Sequence, residues 1–250
     1  MHKVLCSTGA LITRKNGRDH RLLAGFAEQL HCDGFEFMLY DSWYDIPAVH
    51  CEKSIGELIA AEDDLAYERF EMNCKAAERV GAKLLVLHLW NGLVSDSNFG
   101  ANLRAYGRLA DMAAEHGLML TVENVVCNQS TPAAHLKELA EEYPHIPFTF
   151  DTKMAEFHGE LDKVYDEKLW TDNIRHLHIN DYGGGVKDWS DLRTLHFGEG
   201  HVDFERFFAF ERKMGYSGDF TVEASSVRDD GSVDIDKLNR DFLIIKGHIA

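Results

Sequence analysis

Short apolar runs alternate with longer amphipathic stretches along the whole of this 250-residue chain. That rhythm constrains the fold more than any other feature, because stacked β–α units around a parallel sheet produce it. The runs at 3–7, 33–38, 48–51, 84–89, 118–122, 148–150, 174–179 and 220–222 read as strands. Several, such as Leu84-Leu85-Val86-Leu87, are continuously apolar, as strands covered on both faces should be. Between them, Leu58, Ala61, Leu65, Met72, Ala76 and Val80 fall on one helical stripe with Gly81 as its C-cap. Leu103, Tyr106, Leu109, Ala110 and Ala113 form the next stripe, stopped at Gly117. Further helices are expected near 19–31, 132–143, 160–170, 203–214 and 234–247.

Eight strands with matching helices predict an α/β fold, a closed (β/α)8 TIM barrel spanning 1–250 as one domain. An open doubly wound sheet shares the alternation. However, no G-x-G-x-x-G follows the first strand, and Gly183-Gly184-Gly185 follows a late strand without opening a clear helix. Ordinary globular composition, 45% hydrophobic and 27% charged, excludes a disordered chain, a collagen-like repeat or a coiled coil. Acidic residues outnumber basic ones 42 to 26, a formal charge of −16, so nucleic acid is not an expected partner. Residues 1–23 are broken by Arg14, Lys15, Arg18 and Asp19 and read as neither signal peptide nor membrane span. The five cysteines are odd in number and share no CxxC spacing, which predicts reduced, buried thiols in a cytoplasmic protein and no structural zinc site.

In a barrel, catalytic groups project from the C-terminal ends of strands. Those ends read Glu36, His50, His88, Glu123, Asp151, His178 and Glu223. Singly, each has a plain explanation: a carboxylate past a strand caps a helix or pairs with a cation, and a strand histidine hydrogen-bonds within the core. Jointly, four consecutive strands would aim Glu123, Asp151, His178 and Glu223 at one small volume, where three carboxylates repel one another. One divalent cation removes the conflict, and an imidazole with three carboxylates suits Mn²⁺, Mg²⁺, Co²⁺ or Zn²⁺.

Gly34-Phe35-Glu36-Phe37, Val122-Glu123-Asn124, Phe150-Asp151-Thr152, His178-Ile179-Asn180-Asp181, the run from Gly198 to Phe204 and Val222-Glu223 occur in that order. Together they resemble the xylose isomerase-like TIM barrels, which include sugar epimerases, inosose dehydratases, hydroxypyruvate isomerases and apurinic endonucleases. The resemblance covers about residues 3–245 and implies a single-metal site at Glu123, Asp151, His178 and Glu223. His50 and His88 match two further ligand positions of the multi-metal endonucleases. Two motifs depart from the family. Met154 stands where a histidine is expected three residues after Asp151, with His158 one turn on as the candidate to replace it. Leu192-Arg193-Thr194 stands where the endonucleases carry Asp-x-His, which with the charge argues against nuclease chemistry.

The implied activity is that of an isomerase or epimerase acting on a keto-sugar or polyol through a metal-stabilised enediolate, with Glu123 and Glu223 as acid and base. A lyase or dehydratase acting on a keto-inositol, keto-sugar or sugar conjugate is the alternative, and a non-catalytic binding subunit stands behind both. His50, His88, Trp90 and His158 are the candidate substrate-binding residues. Trp43, Tyr44, Trp90, Phe157, Tyr182 and Trp189 enrich the rim in rings on which sugar C–H faces can stack, or with which a loop cap or subunit interface is built. Lys153, Lys187, Arg193 and Arg228 are scattered rather than set in a phosphate-cradling loop, so a non-phosphorylated substrate is expected. Barrels of this kind are often homo-oligomers through helix or loop contacts.

Overall fold

The computed structural model describes residues 2–38, 50–92 and 94–249. Seven strands lie among them: β1 (Val4–Ser7), β2 (Gly34–Glu36), β3 (Leu84–Leu87), β4 (Met119–Glu123), β5 (Phe148–Asp151), β6 (Ile174–His178) and β7 (Asp219–Val222). They form one parallel sheet in the order β2-β1-β7-β6-β5-β4-β3. His50 joins the two edges. Its N–H donates to the Phe37 carbonyl and the Cys51 N–H to the Val86 carbonyl, each at 2.8 Å, with parallel bridges to Met38 and Val86. Among the described residues, His50 thus stands at the place of the eighth stave of the expected barrel. Residues 48 and 49 of the expected third strand, and the rim candidates Trp43 and Tyr44, lie outside the described residues.

Successive side chains of a strand face opposite ways, and β4 to β7 divide them by polarity. Leu120, Val122, Phe148, Phe150, Leu177, Phe220 and Val222 join the two hydrophobic clusters packed against the helices. Thr121, Glu123, Thr149, Asp151, His176, His178 and Thr221 take the opposite face. That face is the barrel interior, because His176 and His178 reach Glu36 on β2, which is no neighbour of β6 in the sheet. The interior is therefore polar. Among the described strands, only β3 keeps the continuously apolar character expected of doubly covered strands.

The helical layer comprises α1 (Leu22–Ala27), α2 (Ser54–Ala60), α3 (Leu65–Arg79), α4 (Phe99–Glu115), α5 (Pro132–Glu142), α6 (Thr152–Phe157), α7 (Glu167–Asp172), α8 (Phe204–Met214) and α9 (Ile235–Ile249). The single stripe expected over 58–80 is two helices. The chain breaks at Glu62, whose φ of 55° is left-handed, and α3 restarts in a new phase. It buries Ala66, Phe70, Cys74 and Ala77, whereas Leu65, Met72 and Val80 are 38%, 42% and 41% exposed. The helix expected at 160–170 is a 3-10 turn, Leu161–Val164, followed by α7. All five cysteines are free thiols, four of them buried. No described helix is long and apolar enough to cross a membrane.

Candidate metal centre at the rim of the barrel

Glu123, Asp151, His178 and Glu223 end or follow β4, β5, β6 and β7, and one ligand atom of each lies within 4.8 Å of all the others. Their convergence follows from register: Glu123 pairs with Thr149, Asp151 with His178, and His178 with Thr221. His178 Nδ1 lies 3.1 Å from Glu123 Oε1 and 3.6 Å from Glu223 Oε2.

Residues beside the quartet lock these strand ends together. Asn124 donates from its amide to the Asp151 carbonyl at 3.0 Å and accepts from the Asp151 N–H at 2.6 Å, fastening β4 to β5. Asn180 donates to Asp151 Oδ2 at 3.0 Å and accepts from the Glu223 N–H at 2.8 Å, fastening β5 and β6 to the end of β7. Asp181 accepts from the N–H groups of Gly198 and Gly200 at 2.9 Å and Val202 at 3.0 Å. This explains the Gly-Glu-Gly turn: a Cβ on Gly200 would sit 2.2 Å from the Tyr182 carbonyl oxygen. Glu199 itself faces Lys237 and not the quartet. Asp151 also caps α6, its Oδ1 accepting from the Met154 N–H at 2.8 Å, so the plain helix-cap role and the rim position coexist.

Charge in the site is unevenly distributed. Burial would raise the Glu123 carboxyl, but His178 and His88 hold it well below the usual range. Burial, with the negative charge of Glu123 and Glu223, pushes the Asp151 carboxyl up to about 6 against the pull of Lys153. Burial opposes charging of His178, yet Glu36, Glu223 and Glu123 raise its pKa well above the ordinary value. Buried Glu223 Oε1 has no hydrogen-bond partner. An oxygen-rich donor set with an unsatisfied buried carboxylate oxygen is what a divalent cation completes. The residues fit such an ion.

The other sequence candidates are distributed differently. His50 and His88 converge on Glu123 Oε2, at 3.3 and 2.7 Å, and with Glu123 form a second group of three potential ligands. Burial lowers the pKa of His88 to about 4 against the pull of Glu123, and its Nδ1 lies 3.1 Å from Asn91 Oδ1. Trp90 is fully buried, donates from Nε1 to the Val125 carbonyl at 3.2 Å, and packs against Phe99 and His135. His158 accepts from the Cys127 N–H at 3.1 Å, and burial lowers its pKa to about 4. The structure therefore puts Trp90 and His158 beneath the loop after β4. Phe157, Tyr182 and Trp189 form a ring cluster, with Trp189 half exposed.

Two further networks support the quartet from residues outside it. Glu36 Oε2 accepts from His176 Nε2 at 2.7 Å and from Thr221 Oγ1 at 2.9 Å, and Glu36 Oε1 lies 3.1 Å from His178 Nε2. His178 is thus held by one nitrogen from below while the other faces the quartet. Asp96 accepts from the N–H groups of Asn128, Gln129 and Ser130 and from His135 Nε2 at 3.0 Å, fixing the loop that follows Glu123. Both are contacts across the fold, between residues far apart in sequence.

A family model described as xylose isomerase-like TIM barrel matches residues 10–242. Among solved structures the chain is similar to D-allulose 3-epimerase from Methylomonas sp., at 18% identity and TM-score 0.71 over 99% of this chain and 98% of that one. It is similar to the IolI protein with a binding zinc atom, at 13% identity and TM-score 0.70 over 99% and 96%. It is also similar to 3-keto-D-glucoside 4-epimerase from E. coli, at 18% identity and TM-score 0.65 over 98% of each chain. Identities this low show the shared fold. A search of curated proteins gives no match.

Proposed function

Because the chain belongs to the xylose isomerase-like TIM barrel family, we propose that it is a divalent-metal-dependent isomerase or epimerase of a keto-sugar or related polyol. The observation that carries this reading is the convergence of Glu123, Asp151, His178 and Glu223 within 4.8 Å at the rim. The epimerases among its structural neighbours support the substrate class by analogy.

These four residues would hold the cation, which supplies Lewis acidity to a ketone and its neighbouring hydroxyl. Glu123 and Glu223 both approach His178 Nδ1, at 3.1 and 3.6 Å, so a substrate held at the quartet is within reach of two carboxylates. The Glu123 carboxylate, ionised and therefore able to accept a proton, is assigned removal of the proton α to the ketone, forming an enediolate. Glu223 Oε1, free of any hydrogen bond, is suited to return one. Return to the opposite face of the same carbon inverts it, and return to the adjacent carbon moves the ketone. His88 and His50 fix Glu123 Oε2, which fixes the line of attack.

Metal stoichiometry tests the reading directly. Mass spectrometry of the protein exchanged into metal-replete buffer should give about one divalent ion per chain, lost in Glu123→Gln. A second ion would point to His50, His88 and Glu123 and bring nuclease assays forward, whereas no ion in wild type would overturn the proposal.

The Glu36 network yields a further prediction. A carboxylate that accepts from the far nitrogen of a metal-binding histidine fixes its ring and tautomer, and its loss commonly costs about 10–100-fold in metal affinity. Glu36→Gln should weaken metal binding by about that factor in a chelator competition titration. Unchanged affinity would mean that Glu36 only fills the barrel interior.

A further inference from the structure

Four basic residues qualify by sequence as contacts for an anion, and the structure separates one from the rest. Arg193 pairs with Asp191, Arg228 pairs with Asp234, and Lys187 is exposed. Lys153 is only 7% exposed, and its Nζ donates to the hydroxyl of Thr194 at 3.0 Å. Among the described residues no carboxylate lies within salt-bridge distance of it. A buried ammonium paired with a neutral hydroxyl is costly unless an anion joins it.

Its position says which anion. Lys153 lies two residues beyond Asp151, and its charge is the strongest one lowering the Asp151 carboxyl, ahead of His178. Thr194 lies where the loop after β6 returns to the rim. Its neighbour Leu195 bridges to Asp181, and its own carbonyl accepts from the Ser225 N–H at 3.0 Å, two residues past Glu223. The ammonium and hydroxyl thus lie among the ends of β5, β6 and β7, the strands that bring Asp151, His178 and Glu223 together.

We propose that the substrate carries an anionic terminal group, a carboxylate or a phosphate, which Lys153 and Thr194 receive beside the metal centre. This rests on reading the rim as a ketol-transforming site and departs from the non-phosphorylated substrate expected from sequence. One charged donor and one hydroxyl suit a single terminal group, and the metal quartet takes the ketol end. Lys153 is then a specificity-determining residue, since a neutral polyol leaves its ammonium with the Thr194 hydroxyl and no carboxylate in direct contact.

Three-carbon ketols test this with little stereochemical bias: dihydroxyacetone, its phosphate, and hydroxypyruvate as the carboxylate. Binding to the metal-loaded full chain is read by calorimetry, after metal content is measured on the same samples. Wild type should bind at least one anionic probe about 10–100-fold tighter than dihydroxyacetone, the worth of one charge-assisted hydrogen bond, and the tighter of the two identifies the group. Lys153→Met should bring that ratio to within about two-fold, while Lys153→Arg, which keeps the charge, should retain part of it. Absence of a preference in wild type, or a preference kept in Lys153→Met, would overturn the inference. So would an equal change for all three probes with altered metal affinity, since Lys153 would then only offset the carboxylates. Failure of wild type to take up metal would instead overturn the proposed function.

Discussion

Glu223→Gln should cut exchange of the substrate α-proton with solvent deuterium by about 10²–10⁴-fold, the usual worth of one positioned proton carrier. Among the quartet this substitution is the cleanest to interpret. Gln keeps the size of the side chain, and Glu223 Oε1 has no partner to lose. The backbone N–H of Glu223 stays anchored on Asn180 in either case. Glu123→Gln is more disruptive, because Glu123 is bracketed by His50, His88 and His178. The measurement is deuterium incorporation by NMR, on whichever ketose turns over in a screen of ketoses, inososes and sugar conjugates. It should be run at saturating metal, so that weakened coordination is not mistaken for a lost acid or base. Exchange near the wild-type rate with metal bound would remove Glu223 from the chemistry. Exchange lost together with metal, and restored by excess metal, would leave it as a ligand only.

The parts of this site that sequence revealed are those set by local pattern. An apolar run that ends abruptly in Glu, Asp or His marks a strand leaving the core at the rim, and β4, β5 and β6 announce their ligands in that way. Glu36 also ended such a run, but its contacts with His176 and Thr221 join residues 140 and 185 positions apart and exist only once the barrel closes. The Asp96–His135 pair spans 39 positions and is equally silent. One helical stripe over 58–80 does not survive folding, because the chain breaks at Glu62 and α3 restarts out of phase with α2. Trp90 and His158 have the right distance from their strands for a rim role, yet burial turns both side chains towards the backbone of the loop after β4. Lys153 reads from sequence as one more surface cation. Only the contact of α6 with the segment around Thr194 reveals that it is buried.

Asp96→Ala should destabilise the fold by about 3–5 kcal/mol, the cost of breaking a buried charged network from one side. It strips an acceptor from three consecutive backbone N–H groups and from His135, which stacks on Phe99 with ring centroids 3.6 Å apart. Urea unfolding at pH 7 reads the loss, and a change below about 1 kcal/mol would show that the loop is held by its packing rather than by Asp96. The same loop should make the fold acid-sensitive in two stages. His158 has its folded pKa lowered to about 4, against about 6.5 when unfolded. The unfolded chain therefore takes up a proton first, and stability falls as pH drops from about 6.5 towards 4. Asp96 follows: burial would raise its carboxyl, but the Gln129 N–H and His135 lead the donors that hold it far below the usual range. Its contribution is complete above the unfolded pKa near 3.9 and drains away below it. His158→Gln, which keeps an acceptor for the Cys127 N–H, should flatten the first stage and leave the second. Asp96→Asn should do the reverse. If His158→Gln left the slope between pH 6.5 and 4 unchanged, another buried histidine would be responsible, and His88, also lowered to about 4 against Glu123, would be next to replace.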